Sequence, residues 1–325
     1  MRTILVSGAS GVVGYGILRS LRRSGLPLKL VGTSMHMGTV APAFCDIFEQ
    51  ARPTIDSGYM RWLLETIRTY KVDMVIPGID VDMYKWAEHA MEIAASGTAV
   101  MLNKLDLVKI CGDKWAFYEV IRDAGIGCAI DSSLSQSFEE LAGQYGLPFL
   151  LKPRRGFGSK GIVRVDSAKT FDSHKADMGT LLMAQPIVGN DGEEFTTSAF
   201  CDGSGGFWTS MTLRRRLSKD GFTEKAEVSD SEEFHEAMLN LCRRFEPLGP
   251  TNFQFRRCKT GPKLLEINPR ISSSTSIRAA FGYNESAMAV DFFLEKRHPV
   301  QPVIRRGKAI RYVEEHIFYE DSIHI

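Results

Sequence analysis

The chain has 325 residues, of which 44% are hydrophobic and 24% are charged, and its formal net charge is +1. This composition is typical of a globular protein with a substantial core, and so small a net charge argues against nucleic acid or an anionic membrane as partner. No window approaches the length of apolar sequence that spans a bilayer, and no signal-peptide pattern is present. Six widely spaced cysteines without a C-x-x-C pair favour reduced thiols, so we expect a cytoplasmic protein.

The first part of the chain alternates strand-like apolar runs with helical patterns. Because strands that alternate with helices pair in parallel, this pattern predicts a doubly wound parallel sheet, which we assign to residues 1–110. Strands are predicted at residues 3–6, 28–31, 73–77 and 99–102, and helices from Gly14 to Arg23 and over residues 60–70 and 83–95.

A glycine-rich turn, with Gly8, Gly11 and Gly14, follows the first predicted strand. Its spacing resembles a dinucleotide-binding fingerprint, which also requires an acidic residue near the end of the second strand. Residues 31–34 read Val-Gly-Thr-Ser and supply none. A tight strand-to-helix turn is therefore favoured over a dinucleotide site, although the helix N-terminus could receive an anionic substrate group.

Two acidic residues, Asp80 and Asp82, follow the strand predicted at residues 73–77. They could face a cleft or could begin the next helix, where acidic side chains suit the helix dipole. We favour the helix start.

Residues 111–185 begin with a helix that Asp113 is expected to cap and that ends at Gly125. A short helix is predicted at residues 138–145. Two apolar runs, residues 148–151 and 162–165, then flank a loop and predict a β-hairpin.

The loop of this hairpin carries Lys152 at the end of its first strand, followed by Gly156, Gly158, Ser159 and Gly161. Glycines let backbone N–H groups approach phosphate oxygens, and the lysine adds a positive charge for the same phosphates. The order of residues is not that of a Walker A loop. The loop is therefore predicted to cover a nucleotide as a flap, the alternative being an ordinary hairpin with a solvated basic tip.

Polar residues alternate along a predicted strand at residues 263–267 and just beyond it. Glu266, Asn268 and Arg270 follow one another at i, i+2 and i+4, so on a strand they share one face. Such a face suits Mg²⁺ and phosphate, because Mg²⁺ prefers oxygen ligands and arginine binds phosphate through two N–H groups. Gln254, on the predicted strand at residues 252–256, is expected to neighbour Glu266 across a hairpin.

The remaining C-terminal elements surround these two motif strands. Strands are predicted at residues 181–188, 207–213 and 309–318, helices at residues 231–245 and 284–296, and a mobile loop at residues 218–228.

The motifs occur together in one order: Lys152-Pro153 with its glycine loop, Asn252-x-Gln254-Phe255, and Glu266-x-Asn268-Pro269-Arg270. In this combination the chain resembles the ATP-grasp superfamily, most closely single modules similar to half of the carbamoyl-phosphate synthetase large subunit. The resemblance implies an α/β and α+β protein in which the N-terminal doubly wound sheet, the pre-ATP-grasp unit, precedes a two-lobed ATP-grasp domain. Residues 111–185 would form the small lobe with the flap, and residues 186–325 the large lobe with the metal site.

The resemblance also assigns residues to the nucleotide. It implies that the flap and two lysines hold ATP phosphates, that residues 185–188 pair with the adenine edge, and that Glu194 or Glu193 accepts the ribose hydroxyls. The nucleotide-binding residues expected in this way are Lys114, Lys152, Gly156, Gly158, Ser159, Gly161, Gln185, Ile187, Val188, Glu193 and Glu194. The metal ligands expected are Gln254, Glu266 and Asn268, for Mg²⁺ or Mn²⁺.

The reaction implied is ATP-dependent joining of a small-molecule carboxylate to an amine through an acyl phosphate, with Arg270 and Lys152 catalytic. Carbamoyl or carboxyphosphate chemistry and a non-catalytic nucleotide-binding protein are the alternatives. Such relatives are often homodimers. The substrate contacts expected are Arg214, Arg216, Ser273 and Arg278.

Overall fold

The protein is described by a computed structural model that covers residues 1–156, 160–219 and 221–319. Its N-terminal sheet has five parallel strands in the order β3-β2-β1-β4-β5, which confirms the predicted doubly wound sheet. The strands are β1 Arg2–Val6, β2 Leu28–Ser34, β3 Ile47–Gln50, β4 Met74–Ile76 and β5 Ala99–Val100. The helices are α1 Val12–Arg23, α2 Tyr59–Tyr70, α3 Asp80–Glu88, α4 Ala90–Ala95 and α5 Leu105–Cys111, with a 3₁₀ helix at Ala41–Phe44.

Two predictions in this sheet were wrong in detail. Strand β3 was not predicted, because it lies at the sheet edge with no fully buried residue and so has no apolar run. The helix predicted at residues 83–95 is two helices that meet at His89, whose backbone (φ −112°, ψ 20°) leaves the helical conformation.

The glycine turn after β1 is explained by close packing of backbones. A Cβ atom on Gly14 would lie 2.2 Å from the carbonyl oxygen of Gly8, and one on Gly78 would lie 2.1 Å from that of Ser7. Gly8 itself has φ +59°, a left-handed conformation that glycine adopts without strain. These glycines therefore let α1 begin directly against the turn that follows β4.

The small lobe contains a three-stranded antiparallel sheet in the order β7-β6-β8. Leu151 of β6 pairs with Val163 of β7, which confirms the predicted hairpin. Its strands are β6 Phe149–Pro153, β7 Val163–Val165 and β8 Leu182–Pro186, and its helices are α6 Lys114–Asp123, α7 Phe138–Tyr145 and α8 Ala168–Asp172, with a 3₁₀ helix at Lys175–Asp177.

The large lobe is built on a six-stranded sheet in the order β13-β12-β9-β10-β11-β14, whose neighbouring strands are antiparallel. Phe195, Phe253 and Phe255 of this sheet pack against Phe234 and Leu241 of α9. The strands are β9 Glu194–Asp202, β10 Phe207–Leu217, β11 Thr223–Ser229, β12 Leu248–Cys258, β13 Gly261–Asn268 and β14 Lys308–Ile310. The helices are α9 Glu232–Phe245, α10 Thr275–Ala280 and α11 Glu285–Glu295, with a 3₁₀ helix at Asp191–Glu193.

Three predicted bounds in the large lobe were wrong. Strand β10 continues to Leu217 rather than ending at residue 213, and most of the loop predicted at residues 218–228 is strand β11. Thr223, Ala226 and Val228 of β11 are buried, a pattern that its charged residues obscure in the sequence. The strand predicted at residues 309–318 pairs only over Lys308–Ile310, because the residues beyond it find no partner strand among those described.

The N-terminal sheet and the large lobe share one hydrophobic core. Ile4 and Val6 of β1 cluster with Phe200 of β9, with Val290 of α11, and with Ile271, which follows β13. This contact fixes the start of α1 opposite the end of β13, where the polar motif residues lie. In the part of the chain that the structure describes, no helix has the length and apolar character needed to cross a bilayer.

Candidate nucleotide and metal site

A cavity of about 350 Å³ lies between the β6–β7 hairpin and strands β12 and β13 of the large lobe, and we call it the central cavity. It extends to the start of α1 and to the residues after β13. Among the described residues, its lining includes two carboxylates, Glu194 and Glu266. The cationic side chains that line it are Lys114, Lys152, Lys160, Arg215, Arg256 and Arg270. This excess of positive charge suits a polyanionic ligand.

Lys152 of β6 and Glu266 of β13 both line the central cavity. Burial lowers the pKa of Lys152 to about 8, an effect that Glu266 opposes and that Arg256 and Lys114 reinforce. A lysine desolvated in this way gains most from an anionic ligand, because the ligand restores the charge balance that burial removed.

Gly156, at the start of the predicted flap loop, contacts the first turn of α6. Lys114 Nζ donates to the carbonyl oxygen of Gly156 at 3.0 Å, and both residues line the central cavity. Asp113 caps α6 and also accepts from Arg154 Nη2 at 2.8 Å. Burial would raise the pKa of Asp113, but the Arg154 hydrogen bonds and the helix-cap N–H groups hold it below its usual range. Gly161 has φ +75°, and a Cβ atom on it would lie 3.0 Å from Cγ of Pro153. Gly158 and Ser159 fall outside the described residues.

The linker after β8 places its three predicted residues differently. Val188 lines the central cavity. The Gln185 side chain donates to Ser132 Oγ at 2.8 Å and lines a smaller cavity of about 50 Å³ next to the first. Ile187 is exposed and is not part of either described lining.

The two adjacent acids at the start of β9 point in opposite directions. Glu194 is buried, lines the central cavity and accepts from Arg215 Nε at 3.0 Å and from Arg256 Nη2 at 3.0 Å. Glu193 instead pairs with Arg214 and Arg257 outside that cavity. Of the two acids proposed for ribose, Glu194 is therefore the one positioned to meet a ligand.

The arginine run on β10 corrects one sequence expectation. Arg214 and Arg216 were expected to contact substrate, but both are exposed on the outer face of the strand. Arg215 points the other way, is 4% exposed as a side chain and lines the central cavity. Side chains alternate along a strand, so only the middle arginine of the three can reach the cavity.

The three predicted metal ligands lie together at the end of β13. Gln254 pairs with Glu266 in the strand register, and its Nε2 donates to Glu266 Oε1 at 2.6 Å. Asn268 Nδ2 donates to the same oxygen at 3.1 Å. The side chains of Gln254, Glu266 and Asn268 carry oxygen atoms, the ligand type that Mg²⁺ prefers. The Gln254 oxygen accepts a hydrogen bond from Arg215 Nη2, so a metal ion that took this ligand would replace that contact.

The charge of this donor set indicates how an ion would be held. The described residues contain no group of three or more His, Cys, Asp or Glu placed to hold a metal. With one carboxylate and two amides, the set fits an ion that also takes phosphate oxygens as ligands. The metal and the nucleotide phosphates are therefore expected to bind together.

Arg270 is oriented by Asp80, the first residue of α3. Its Nε and Nη2 donate to Asp80 Oδ1 at 2.8 Å and Oδ2 at 3.1 Å, and its Nη1 donates to the carbonyl oxygen of Ile271 at 3.2 Å. Burial alone would lower the pKa of Arg270, but the Asp80 carboxylate raises it. Nη1 and Nη2 each keep one N–H, so one fork of the guanidinium stays available to an anion in the cavity. Asp80 starts α3, as predicted, and also reaches the cleft.

The serine-rich segment after Arg270 supplies two cavity-lining residues. Ser273, an expected substrate contact, lines the central cavity together with Ser272. Arg278 does not reach the cavity, because it is 0% exposed and pairs with Glu285 at 3.2 Å in the core. Its expected contact with substrate is thus corrected to a structural position.

Sequence reasoning missed Arg215 and Arg256, although each had a signal. Met211 and Leu213 are buried on β10, and extending their alternation by two residues reaches Arg215. Arg256 follows Gln254 at i+2 and so shares its face. Both arginines hold Glu194, and the buried Nε of Arg256 has no acceptor among the described residues.

Comparisons with known proteins show which family and which fold this chain resembles. Residues 183–316 match the model of a family described as ATP-grasp in the biosynthetic pathway with Ter operon. An uncharacterized protein, y4rH, from Sinorhizobium fredii is 26% identical over 187 residues. That match covers 51% of this chain and 38% of the relative, so the similarity spans well under half of the relative's length.

Several solved structures share the fold over nearly the whole chain. N5-carboxyaminoimidazole synthetase from Staphylococcus aureus superposes with a TM-score of 0.73 at 15% identity, over 93% of this chain and 80% of that one. The biotin carboxylase–β,γ-ATP complex from Campylobacter jejuni gives 0.70 at 15%, over 94% and 74%. The biotin carboxylase domain of Hydrogenobacter thermophilus 2-oxoglutarate carboxylase, solved with MgADP and bicarbonate, gives 0.68 at 13%, over 94% and 73%. Residues 183–316 therefore resemble an ATP-grasp family, and nearly the whole chain shares its fold with these solved structures.

Proposed function

We propose that this protein is an ATP- and Mg²⁺-dependent ligase that joins a carboxylate to an amine through an acyl phosphate and releases ADP and phosphate. The observation that carries the proposal is the central cavity, which Lys152 of β6 and Glu266 of β13 line together. The same cavity offers cations for phosphates and oxygen atoms for a metal. Neither feature alone would select a nucleoside triphosphate together with its metal ion.

Each wall of the central cavity has a task in this proposal. Lys152 and Lys114 hold phosphates beneath the flap, and Glu194 accepts the ribose hydroxyls. The adenine edge meets the linker at residues 185–188. The residues that would hold Mg²⁺, or Mn²⁺ in its place, are Gln254, Glu266 and Asn268. When bound, the ion would neutralise phosphate charge.

The proposed chemistry requires alignment more than covalent help. A free carboxylate is a poor electrophile, and transfer of the γ-phosphoryl group to it creates a phosphate leaving group that an amine can displace. Such transfer depends on positioning and on relief of negative charge. The open fork of Arg270, held in place by Asp80, would stabilise the transferring group and the acyl phosphate.

Carboxyphosphate chemistry is the second candidate, because one solved structure of this fold carries bicarbonate beside MgADP. Bicarbonate would then replace the organic carboxylate as phosphoryl acceptor. We also propose that the protein forms a homodimer and lies in the cytoplasm. The roles given to individual residues above are proposed in the same way.

Product analysis tests the proposal. The protein is incubated with ATP and MgCl₂ in three arms: pooled carboxylates with amines, bicarbonate with amines, and no acceptor. We expect ADP and phosphate to be released faster with acceptors present, and the arm that responds separates the two candidates. Release of AMP and pyrophosphate would contradict both. Binding of an ATP analogue without turnover in any arm would favour a non-catalytic nucleotide-binding protein.

A further inference from the structure

Arg215 stands between the parts of the central cavity that the proposed function gives to ribose and to the metal ion. Its side chain is 4% exposed and lines the cavity. It donates to Glu194, the residue proposed for ribose, and to Gln254, a proposed metal ligand. A single guanidinium therefore contacts residues of both sites.

The contacts of Arg215 leave one fork of its guanidinium half occupied. A guanidinium has five N–H groups in one plane. Nε and Nη2 of Arg215 both donate to Glu194 Oε1, at 3.0 and 2.9 Å, and the second N–H of Nη2 donates to Gln254 Oε1. Nη1 has no acceptor among residues 1–156, 160–219 and 221–319. The fork formed by Nη1 and Nη2 therefore has one N–H on the amide of Gln254 and one N–H available.

Gln254 connects this fork to the other proposed metal ligands. Its Nε2 donates to Glu266 Oε1 at 2.6 Å, and Asn268 Nδ2 donates to the same oxygen at 3.1 Å. Because the nitrogen of the Gln254 amide is turned to Glu266, its oxygen is turned to Arg215. The one side-chain oxygen that Gln254 can offer a metal ion is thus the atom to which Arg215 donates.

A metal ion and Arg215 compete for the Gln254 oxygen. Both are cations, and two cations on one amide oxygen repel each other at close range. An ion that takes Gln254 as a ligand should therefore release the Nη2 N–H and open the Nη1–Nη2 fork. The two hydrogen bonds to Glu194 would still hold Arg215 at the cavity wall. An open arginine fork binds a phosphate group through two parallel N–H groups.

We propose that Arg215 exchanges Gln254 for a nucleotide phosphate when the metal ion binds, so that the metal and the nucleotide each strengthen the binding of the other. Such coupling is reciprocal, because each ligand changes the affinity for the other by the same factor. Arg215 positions Gln254 in the free protein and binds phosphate in the loaded one. This inference rests on the proposed function, from which it takes the nucleotide and the metal ion.

Arg256 supplies a matched comparison. It lines the same cavity, and its Nη2 donates to the other carboxylate oxygen of Glu194, Oε2, at 3.0 Å. Among the hydrogen bonds of the described residues, none joins Arg256 to Gln254. Arg215→Met and Arg256→Met therefore each remove one cation that pairs with Glu194, and only the first also frees the Gln254 oxygen.

The test measures affinity for β,γ-methylene-ATP by calorimetry, once at saturating Mg²⁺ and once in EDTA. The ratio of the two affinities reports the coupling between metal and nucleotide. In Arg215→Met this ratio should fall about fivefold or more relative to wild type, the lower end of typical coupling between two sites. In Arg256→Met the affinity should fall by a similar factor in both conditions, so the ratio should stay within about twofold of wild type. Arg216→Met, at an exposed position of the same strand as Arg215, should change neither affinity.

A second measurement needs no nucleotide. Binding of Mn²⁺ to the free protein is followed by loss of the electron paramagnetic resonance signal of the unbound ion. Because Arg215→Met removes the competitor for the Gln254 oxygen, its affinity for Mn²⁺ should exceed that of Arg256→Met by roughly threefold or more. Should Arg215→Met fail to fold, Arg215→Lys keeps a charge beside Glu194 but has no fork, and the same fall in the nucleotide ratio is expected.

The two proposals fail in different ways. If wild type did not bind the analogue at saturating Mg²⁺, the proposed function itself would be lost. If wild type bound it but the ratio stayed the same in Arg215→Met, or fell equally in Arg256→Met, only the partner exchange would be overturned. Equal Mn²⁺ affinities of the two variants would also overturn the exchange alone.

Discussion

Arg270 and Arg278 lie eight residues apart, and both were expected from sequence to meet ligand, yet they occupy opposite kinds of environment. Arg270 lines the central cavity, keeps one side of its guanidinium on Asp80 and leaves the other fork open. Arg278 is completely buried, with Glu285, Asn252 and Ser272 around it. The first arginine is positioned by its partner, and the second is neutralised by its partners.

The difference shows what separates a functional from a structural charge in this protein. Behind the cavity wall, the acceptors around Arg278 are shared with other donors: Glu285 also accepts from Ser198, and Asn252 from Thr196 at 2.6 Å. Among the described residues, only Arg278 Nε and Asn252 Nδ2 of this cluster lack a partner. At the cavity wall, Lys152 and Arg270 retain N–H groups that no described residue accepts. Charges of the first kind specify packing, whereas charges of the second kind can respond to a ligand.

The largest effect is expected from removing the buried arginine. Arg278→Met leaves Glu285 charged, buried and unpaired, so the free energy of unfolding should fall by about 3–5 kcal/mol. Urea unfolding measures it, with Arg61→Met on the exposed face of α2 as a control that should change stability by less than about 0.5 kcal/mol. The double variant with Glu285→Gln should recover part of the loss. A single variant as stable as wild type would show that the pair does not hold this region together.

Glu266, a proposed metal ligand, should show the reverse pattern, losing turnover and not stability. Glu266→Gln keeps the shape but removes the one carboxylate among the three proposed ligands, so the barrier should rise by about 3 kcal/mol and kcat should fall roughly a hundredfold. Release of ADP at saturating Mg²⁺ measures it. Urea unfolding should stay close to wild type. Equal losses of stability and turnover would place Glu266 with Arg278 as a structural charge.

How far sequence alone predicts this site depends on whether a residue's place follows from local pattern. Alternation on one strand was sufficient to bring Glu266 and Asn268 to one face, and the hairpin brought Gln254 beside them. The same rule was not applied to Arg215, because the predicted strand stopped at residue 213 whereas β10 continues to Leu217.

Other features depend on contacts between distant segments and could not be predicted in this way. The ion pair of Asp80 with Arg270 joins residues 190 positions apart, one at the start of α3 and the other just after β13. The burial of Arg278 follows from how α10 packs against β9 and β12, which no periodicity in its short helix indicates. A segment rich in serine, threonine and arginine has the same sequence pattern whether its side chains face a cavity or the core.

A smaller effect is expected where the orientation of Arg270 is changed but the arginine is kept. Asp80→Asn cannot accept two charge-assisted hydrogen bonds, so Arg270 should lose its fixed geometry and kcat should fall roughly tenfold, about 1.4 kcal/mol. The KM for ATP should change little, because the nucleotide lysines are untouched. Glu88→Gln, an exposed acid on the same helix, is the control. A rise in KM without a change in kcat would argue against the positioning role.

The mildest test uses pH, and it examines whether Lys152 is a charge that responds to ligand. In the free protein its pKa is about 8, so the side chain is largely neutral above that pH. Phosphate prefers the ammonium form, so nucleotide binding would take up a proton, and affinity should fall about tenfold per pH unit as pH rises above 8. Titration of an ATP analogue between pH 7 and pH 9.5 measures this fall. Lys152→Arg keeps its charge over that range and should flatten the profile even if its affinity is lower. If the affinity of the wild type changed as little with pH as that of the arginine variant, protonation of Lys152 would not contribute to phosphate binding. Lys152 would then resemble Arg278, a charge that serves the structure.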